Sequence, residues 1–413
     1  MPTRVNSLPN ELQLKRSYWG TEAVLGTLVP PTYRMYCDLA LNKARPLADR
    51  KEFAGTRFKD YTPVRQPIVV DGTCAQALSY EDLPILARYG IVGGGTGVTD
   101  GNTTPGYTYT QAPSATKPDI DYASGEYGFP GMPETFTGLH HAEFTIAGDI
   151  DNTEACWTWN SRVMALTKDL KAATTGTATG GSTSTVIMSG AAWTVNAFQG
   201  GYVRMTGGTA ANIDQFAEIA SNTTTTLTLV GVLPAPVAAA DTFEISGVFT
   251  PGIADRTRET ISMPNTLVYM DQASAIGTTQ VKGRVISFSV TWANNSFGKR
   301  FAENATGFAR FGFGAHVVTG QVRLEFDHRK EYDDWMANTA QKIRIRQTGS
   351  QIDSVALTTK FAQIDVPNAQ WDAMTEDARQ ENVTVTITFR AYVDPTSGVP
   401  ATLVTKNRLA TLP

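Results

Sequence analysis

Charge is scarce in this chain. Charged residues make up 18% of its 413 amino acids, below the usual quarter, and the formal net charge is −4. That balance excludes the electrostatic footprint of a dedicated nucleic-acid binder. Cysteine is scarcer still. Cys37, Cys74 and Cys156 are odd in number and far apart, which fits neither a disulfide framework nor a zinc cluster. Long apolar runs are missing too: the longest, Val230–Ala240, carries two prolines and is too short to cross a bilayer. The first residues, Met1–Pro9, lack the apolar core of a signal peptide, so the expectation is a soluble protein made in a reducing compartment, without a membrane anchor. What is present suffices for real cores. Hydrophobic residues are 41%, which rules out a wholly disordered chain, and the length suggests roughly two to four domains.

Composition divides the chain into blocks 1–170, 171–250 and 251–413. Ala172–Thr250 holds only five charged residues (Arg204, Asp214, Glu218, Asp241, Glu244) and opens with the Thr/Gly/Ser-rich stretch Thr174–Thr185. Short β-like runs, Val186–Met188, Tyr202–Met205, Thr225–Val230 and Thr242–Ile245, follow between Gly, Asn and Pro punctuation. The expectation is a small all-β domain inserted into a larger one. The outer blocks alternate with period two over Ala142–Ile150, Ile286–Trp292, Val322–Asp327 and Val383–Asp394, the pattern of strands with one dry and one wet face.

Helix signals are few. Asp82–Gly90 reads as a short helix with an Asp cap, an early Pro and a Gly stop. Tyr332, Trp335, Met336 and Thr339/Ala340 have the spacing of a helix with one buried stripe. Each helix follows a strand-like segment, Pro67–Ala77 or Gln321–Asp327. Each precedes a long alternating strand, Ala142–Ile150 or Val383–Asp394. The pattern predicts two copies of one β-plus-α module.

Catalytic signatures are weak. Gly93–Val98 lacks the third glycine of a dinucleotide loop and leads into residues that cannot start a helix, so a loop is expected. Four histidines exist: His140, His141, His316 and His328. The adjacent pair points to opposite faces of a strand and reads as polar surface rather than as metal ligands. Cys156 beside Trp157 and Trp159 reads as packing. The carboxylate pairs Glu81/Asp82, Asp149/Asp151 and Asp333/Asp334 fall at helix starts or turns, where they complement backbone dipoles. The expectation is no enzyme, no cofactor and no metal. An alternative reading, a β-rich adhesin or decoration protein, places glycan on the Thr-rich insert or on exposed Trp157, Trp159 and Trp193.

Charge is unevenly placed. Residues 1–70 hold eleven Lys/Arg against six acidic residues, so the front is basic and the body acidic. Arg45, Arg50, Lys51, Arg57 and Lys59 interleave with aromatics on a first long loop; Lys299, Arg300 and Arg310 do so on a second. Aromatic anchors with a charged rim suit protein–protein contact.

The segment Tyr18-Trp-Gly-Thr-Glu-Ala-Val-Leu-Gly-Thr-Leu-Val-Pro-Pro-Thr resembles the start of tail tube (major tail) proteins of long-tailed, siphovirus-type bacteriophages, with their "G-x-E-x-x-x-G-T" pattern. Val281–Trp292, Thr319–Asp327 with Tyr332-Asp-Asp, and Val383–Asp394 followed by Lys406-Asn-Arg are similar to that family's second half. The resemblance covers the two outer blocks. It implies a mainly β fold, a β-sandwich or partial barrel with a flanking short helix, duplicated here around an inserted decoration domain. It implies a virion protein made in the host cytoplasm that assembles into stacked rings, three chains if the module is duplicated and six if not. The implied partners are the chain itself, a tape-measure protein in the lumen, tail terminator and distal tail proteins, and DNA in passage. In that picture Thr384, Thr386, Thr388 and Arg390 face the channel. Arg45, Arg50, Lys51, Arg57, Lys59, Lys299, Arg300 and Arg310 meet neighbouring rings.

Overall fold

The computed structural model describes residues 15–45, 47–48, 64–65, 68–115, 120–129, 131–272, 275–301, 307–327, 329–379 and 382–413. The fold is mainly β, with two seven-residue helices, α1 (Asp82–Arg88) and α2 (Lys330–Met336). Eight strands form the larger sheet of the outer blocks: β1 (Asp38–Ala44), β2 (Val69–Ala77), β3 (Met132–Asp149), β4 (Trp157–Ala165), β5 (Val285–Ala293), β6 (Val317–Glu325), β7 (Thr358–Arg379) and β8 (Asn382–Ala391). All pairings are antiparallel, in the order β1-β2-β4-β3-β5-β6-β8-β7.

This order is one four-strand pattern used twice. The first half runs first, second, fourth, third strand (β1-β2-β4-β3), and the second half repeats it (β5-β6-β8-β7). The halves meet where β3 pairs with β5. Equivalences can be read residue by residue. Val163 faces Gly72 across β4–β2, and Phe389 faces Gly320 across β8–β6. Both glycines sit where a neighbouring strand presses in: a Cβ at Gly72 would land on the Ala40 carbonyl, and one at Gly320 would stand 2.7 Å from the Ser289 carbonyl oxygen and 2.4 Å from Phe389 Cζ. Strands β3 and β7 each carry a register shift, between His141 and Glu143 and between Trp371 and Ala373. An extra residue of this kind bends and twists a strand.

That bend lets one strand serve two layers. The front part of β3 (132–139) belongs to a second layer, pairing with Ala123–Phe129 on one side and Thr167–Leu170 on the other. Its rear part (143–149) belongs to the larger sheet. The front part of β7 likewise pairs with Gln341–Asp353 and Thr402–Asn407, and its rear part with β8. The strands therefore wrap barrel-like around one core. The wrapping runs through the two bent strands, and no ladder among the described residues joins β1 to β7.

The repeat corrects the pairing expected from sequence. The counterpart of the long strand after α1 is β7, whereas Val383–Asp394, here β8 (Asn382–Ala391), matches β4. Leu39, Leu41, Phe144, Ile146, Trp159, Phe288, Val290, Trp292, Val322, Leu324, Ile387 and Phe389 fill a single core. Phe144 lies between Trp159 (ring centroids 4.2 Å apart) and Trp292 (5.1 Å), so stacked rings cross the junction of the halves from the core side.

Residues Thr174–Ser246 form a separate seven-stranded sheet with its own core, including Val186, Val203, Ile219, Leu227, Phe243 and Ile245. Buried Glu126 ties its two connections to the main body, accepting from Thr250 N (2.8 Å), Thr250 Oγ1 (2.6 Å) and Lys171 Nζ (2.8 Å).

The helices differ. In α1, Asp82–Ala87 are all buried; in α2 only Glu331 is. The expected buried stripe on α2 is formed only in part: Trp335 packs against the core and Tyr332 is half-buried, whereas Met336 is 63% exposed and the helix ends there. Nor does Asp82 cap α1: it is the first helical residue, and its N–H donates to Ser79 Oγ (3.0 Å).

Candidate assembly surface

One face of the larger sheet covers the core and the other is open. On β8, Val385, Ile387, Phe389 and Ala391 point inward, while Thr386 and Thr388 are half-buried and Arg390 is exposed on the opposite face. Thr384 shares that face but is buried, 3.2 Å from the Asp377 carbonyl to which its hydroxyl donates. Two residues of the alternating stretch depart from expectation: Val383 and Val393 are exposed, because Val383 starts the strand and Val393 lies beyond its end.

The open face continues across the strands in register. Thr386 aligns with Arg323, Thr319 with Thr291, Thr291 with Thr145, and Thr145 with Asn160. The hydroxyls of Thr145 and Thr291 are 2.7 Å apart, bonding the halves together on this side. Among the described side chains the face carries six carboxylates (Asp38, Asp71, Glu143, Asp149, Glu325, Asp377) against three guanidinium groups (Arg162, Arg323, Arg390). It is small, hydroxyl-rich and weakly acidic.

Both ends of the sheet lack a neighbouring strand among the described residues, although on β1 the Leu41 carbonyl accepts from Lys168 Nζ (2.7 Å). Among the described residues β1 pairs only with β2, and the rear part of β7 pairs only with β8. An unpaired strand exposes a row of N–H and C=O groups that another strand can satisfy. Such rows are hard to see in a sequence, because alternation reports the two faces of a strand and not its edges.

The two long loops occupy equivalent positions, between the first and second strands of each half. In the first, Arg45 is exposed, Leu47–Ala48 pairs with Val64–Arg65, and Arg50, Lys51, Arg57 and Lys59 lie outside the described residues. The second is a hairpin of Phe297–Lys299 with Arg310–Gly312. Its charged groups rest on its own rings: Arg300 over Phe308 (5.1 Å), Arg310 over Phe301 (5.2 Å) and Lys299 over Phe297 (6.0 Å). Its root packs into a small cluster with Ala142, Met164 and Phe311.

His140 and His141 are not surface residues. Both are fully buried, and burial pushes each down to about 3, so they are neutral. His141 Nδ1 lies 2.9 Å from Ser161 Oγ, and His140 packs 4.3 Å from the Phe311 ring. His328 lies outside the described residues. Trp157 and Trp159, expected to be exposed for glycan, are completely buried, and Trp193 packs edge-on against Phe198 and Phe243.

The carboxylates beside α1 have structural partners. Asp82 accepts from Arg256 (2.9 Å) and Arg258 (2.6 Å), and Glu81 from Lys360 (2.6 Å). Burial opposes the charge on Lys360, but Glu81 and Glu259 outweigh it and hold its pKa above the ordinary lysine value. This cluster fastens α1, the return segment from the inserted sheet and β7 to one another. On α2, by contrast, Asp333 and Asp334 pair with Arg329 and Lys330 one turn away. Asp149 Oδ1 accepts from Asp151 N (2.9 Å), a turn contact.

A hollow of about 370 Å³ beside Asn294, Phe313 and Val393 is lined, among the described residues, by one titratable side chain, His316, which burial pushes down to about 4. Among the described residues no group of three or more His, Cys, Asp or Glu is placed to hold a metal ion, and no helix is long and apolar enough to cross a membrane.

Glu22 gives a physical reason for the G-x-E-x-x-x-G-T segment. Its buried carboxylate accepts from Gly26 N (2.7 Å) and Gly138 N (2.6 Å), and Gly26 has φ +82°, where a side chain would be strained. The motif thus pins a turn onto the bend of β3. Comparison with protein families and with curated proteins returns no match to this sequence.

Proposed function

We propose that the chain is a structural subunit that assembles into rings stacked as the tail tube of a long-tailed bacteriophage, the conduit for DNA delivery. The observation that carries this reading is the larger sheet: eight strands, one polar open face, and at each end a strand without a further strand partner among the described residues. Such a sheet is incomplete alone and is completed by copies of itself joined head to tail, an arrangement that closes into a ring when the rotation allows.

Strand geometry supports three chains per ring. With strands about 4.8 Å apart and tilted by about 40°, each strand takes roughly 6 Å of circumference. Sixteen strands from two chains would leave a bore of about 20 Å once side chains of about 5 Å line each side. That is no wider than a DNA duplex. Twenty-four strands from three chains leave roughly 35–40 Å, enough for the duplex and its hydration. Thr384, Thr386, Thr388 and Arg390 then belong to the lining. A lining with more carboxylates than arginines makes few phosphate contacts and lets DNA slide. The long loops, with Arg45, Lys299, Arg300 and Arg310, reach toward adjoining rings, and the tape-measure protein, the terminator and the distal tail proteins are the partners this role requires. The virion tail is the corresponding location.

Negative-stain microscopy of the concentrated protein tests the reading. Hollow rods with a regular axial repeat are the expected result. Isolated particles at every concentration and salt level would overturn it.

A further inference from the structure

The internal repeat specifies how one chain grips the next. In the β3–β5 junction, Thr145 faces Thr291, Phe144 faces Trp292 and Ile146 faces Val290. The matching register shifts align Thr145 with Thr375 and Phe144 with Met374. The matching glycines align Thr291 with Asn42 and Trp292 with Lys43. We infer that the rear part of β7 pairs antiparallel with β1 of a second copy of this chain, with Thr375 opposite Asn42 and Met374 opposite Lys43. This inference rests on the ring-forming reading above and adds the register and chemistry of its seam.

The two seams differ in character. The internal one is sealed on the core side by the stacked Phe144 and Trp292 rings. At the outer one, those positions hold Met374 and Lys43, and the next inward pair holds exposed Glu376 opposite Leu41. Glu376 therefore falls diagonally across from Lys43, within reach for a long side chain. Lys43 already turns to that side of the sheet, where it meets Asp169 of its own chain. A carboxylate facing an ammonium across an edge keeps the free chain soluble, because each bare edge carries a charge that disfavours mispairing. The same pair selects the right register when the edges meet. The internal seam is permanent, and the outer one is reversible and sensitive to salt.

Two Cys variants test the register. Asn42→Cys and Thr375→Cys, mixed as single variants and oxidised, are expected to give a covalent dimer absent from either variant alone, with Cys37, Cys74 and Cys156 retained throughout as background. The double variant is expected to give a covalent ladder ending in a closed species. Pairing Asn42→Cys with Met374→Cys, which points to the opposite face, is expected to give none. Rings in the microscope without a 42/375 cross-link would overturn the seam and leave the ring reading intact. The cross-link without rings would do the reverse, and neither would remove both. Charge provides the second arm. Lys43→Glu or Glu376→Lys alone is expected to raise the concentration for half-assembly by about tenfold or more, and combining them in one chain is expected to recover most of the loss. Failure of the combined exchange to recover assembly, when each single change impairs it, would overturn the Lys43–Glu376 contact.

Discussion

The two halves of the larger sheet share one strand order and differ in how their flanks are covered. The first half has a helix buried along nearly its whole length and a last strand, β3, whose outer edge is satisfied by β5. The second half has a helix that is only half-buried, and its last strand, β7, has a rear edge without a strand partner among the described residues. The difference teaches that the same module edge is joined within the chain in one half and left without a strand partner, among the described residues, in the other. In the proposed ring, that second edge is joined to a neighbour.

The helices give the sharpest way to break that comparison. Asp82→Ala removes a fully buried carboxylate and strands Arg256 and Arg258, which is expected to cost about 3–5 kcal/mol in chemical unfolding. Asp333→Ala removes half of an exposed one-turn ion pair and is expected to cost a few tenths of a kcal/mol. Equal effects would mean that α1 is not anchored as described. The equivalent glycines come next. Gly72→Ala and Gly320→Ala are each expected to destabilise by about 1–3 kcal/mol, Gly72 more, because it meets rigid backbone where Gly320 meets partly a movable ring.

Acid should weigh more heavily on the first half, since its two buried histidines are pushed down further than His316 of the second half, which burial lowers to about 4. His140 and His141 stay neutral down to about 3 when folded, whereas in the unfolded chain they take up protons near 6.5. The unfolded state therefore binds more protons throughout that window. Stability is expected to fall as pH drops below about 6.5, by about 1.4 kcal/mol per pH unit for each histidine. The second half has Gln370 and Trp371 at the equivalent positions, so His140→Gln should flatten the slope in a urea titration repeated from pH 7 to pH 4. The smallest effect is expected at the internal seam: Thr145→Val loses one hydroxyl contact with Thr291, worth about 0.2–1 kcal/mol, while the stacked rings behind it remain.

Much of this architecture was legible as pattern. Ile286–Trp292 and the core-facing Val385, Ile387 and Phe389 alternate as a one-sided sheet demands, and the low charge of Ala172–Thr250 marks the inserted sheet. The bent strand β7 was not legible. Pro367 interrupts it beside a register irregularity, and the extra residue at the Trp371–Ala373 shift reverses the phase of alternation, so no single period runs through it. His140 and His141 look polar in sequence, yet the strand bend and the Phe311 hairpin cover them. Their burial is a tertiary fact that local pattern does not carry. The open sheet ends were hidden for a similar reason. Which strand lies at an edge depends on pairings across hundreds of residues.

Amide hydrogen exchange of the dilute and the concentrated protein addresses the central claim most directly. The outward-pointing backbone amides of 38–44 and 373–377, those not bonded to β2 or β8, are expected to exchange quickly in the dilute chain. On assembly they should become as protected as those of 143–149 and 287–293 at the internal seam. Fast exchange in both edge segments after the protein has polymerised would contradict the account, because the polymer would then be held by some other surface.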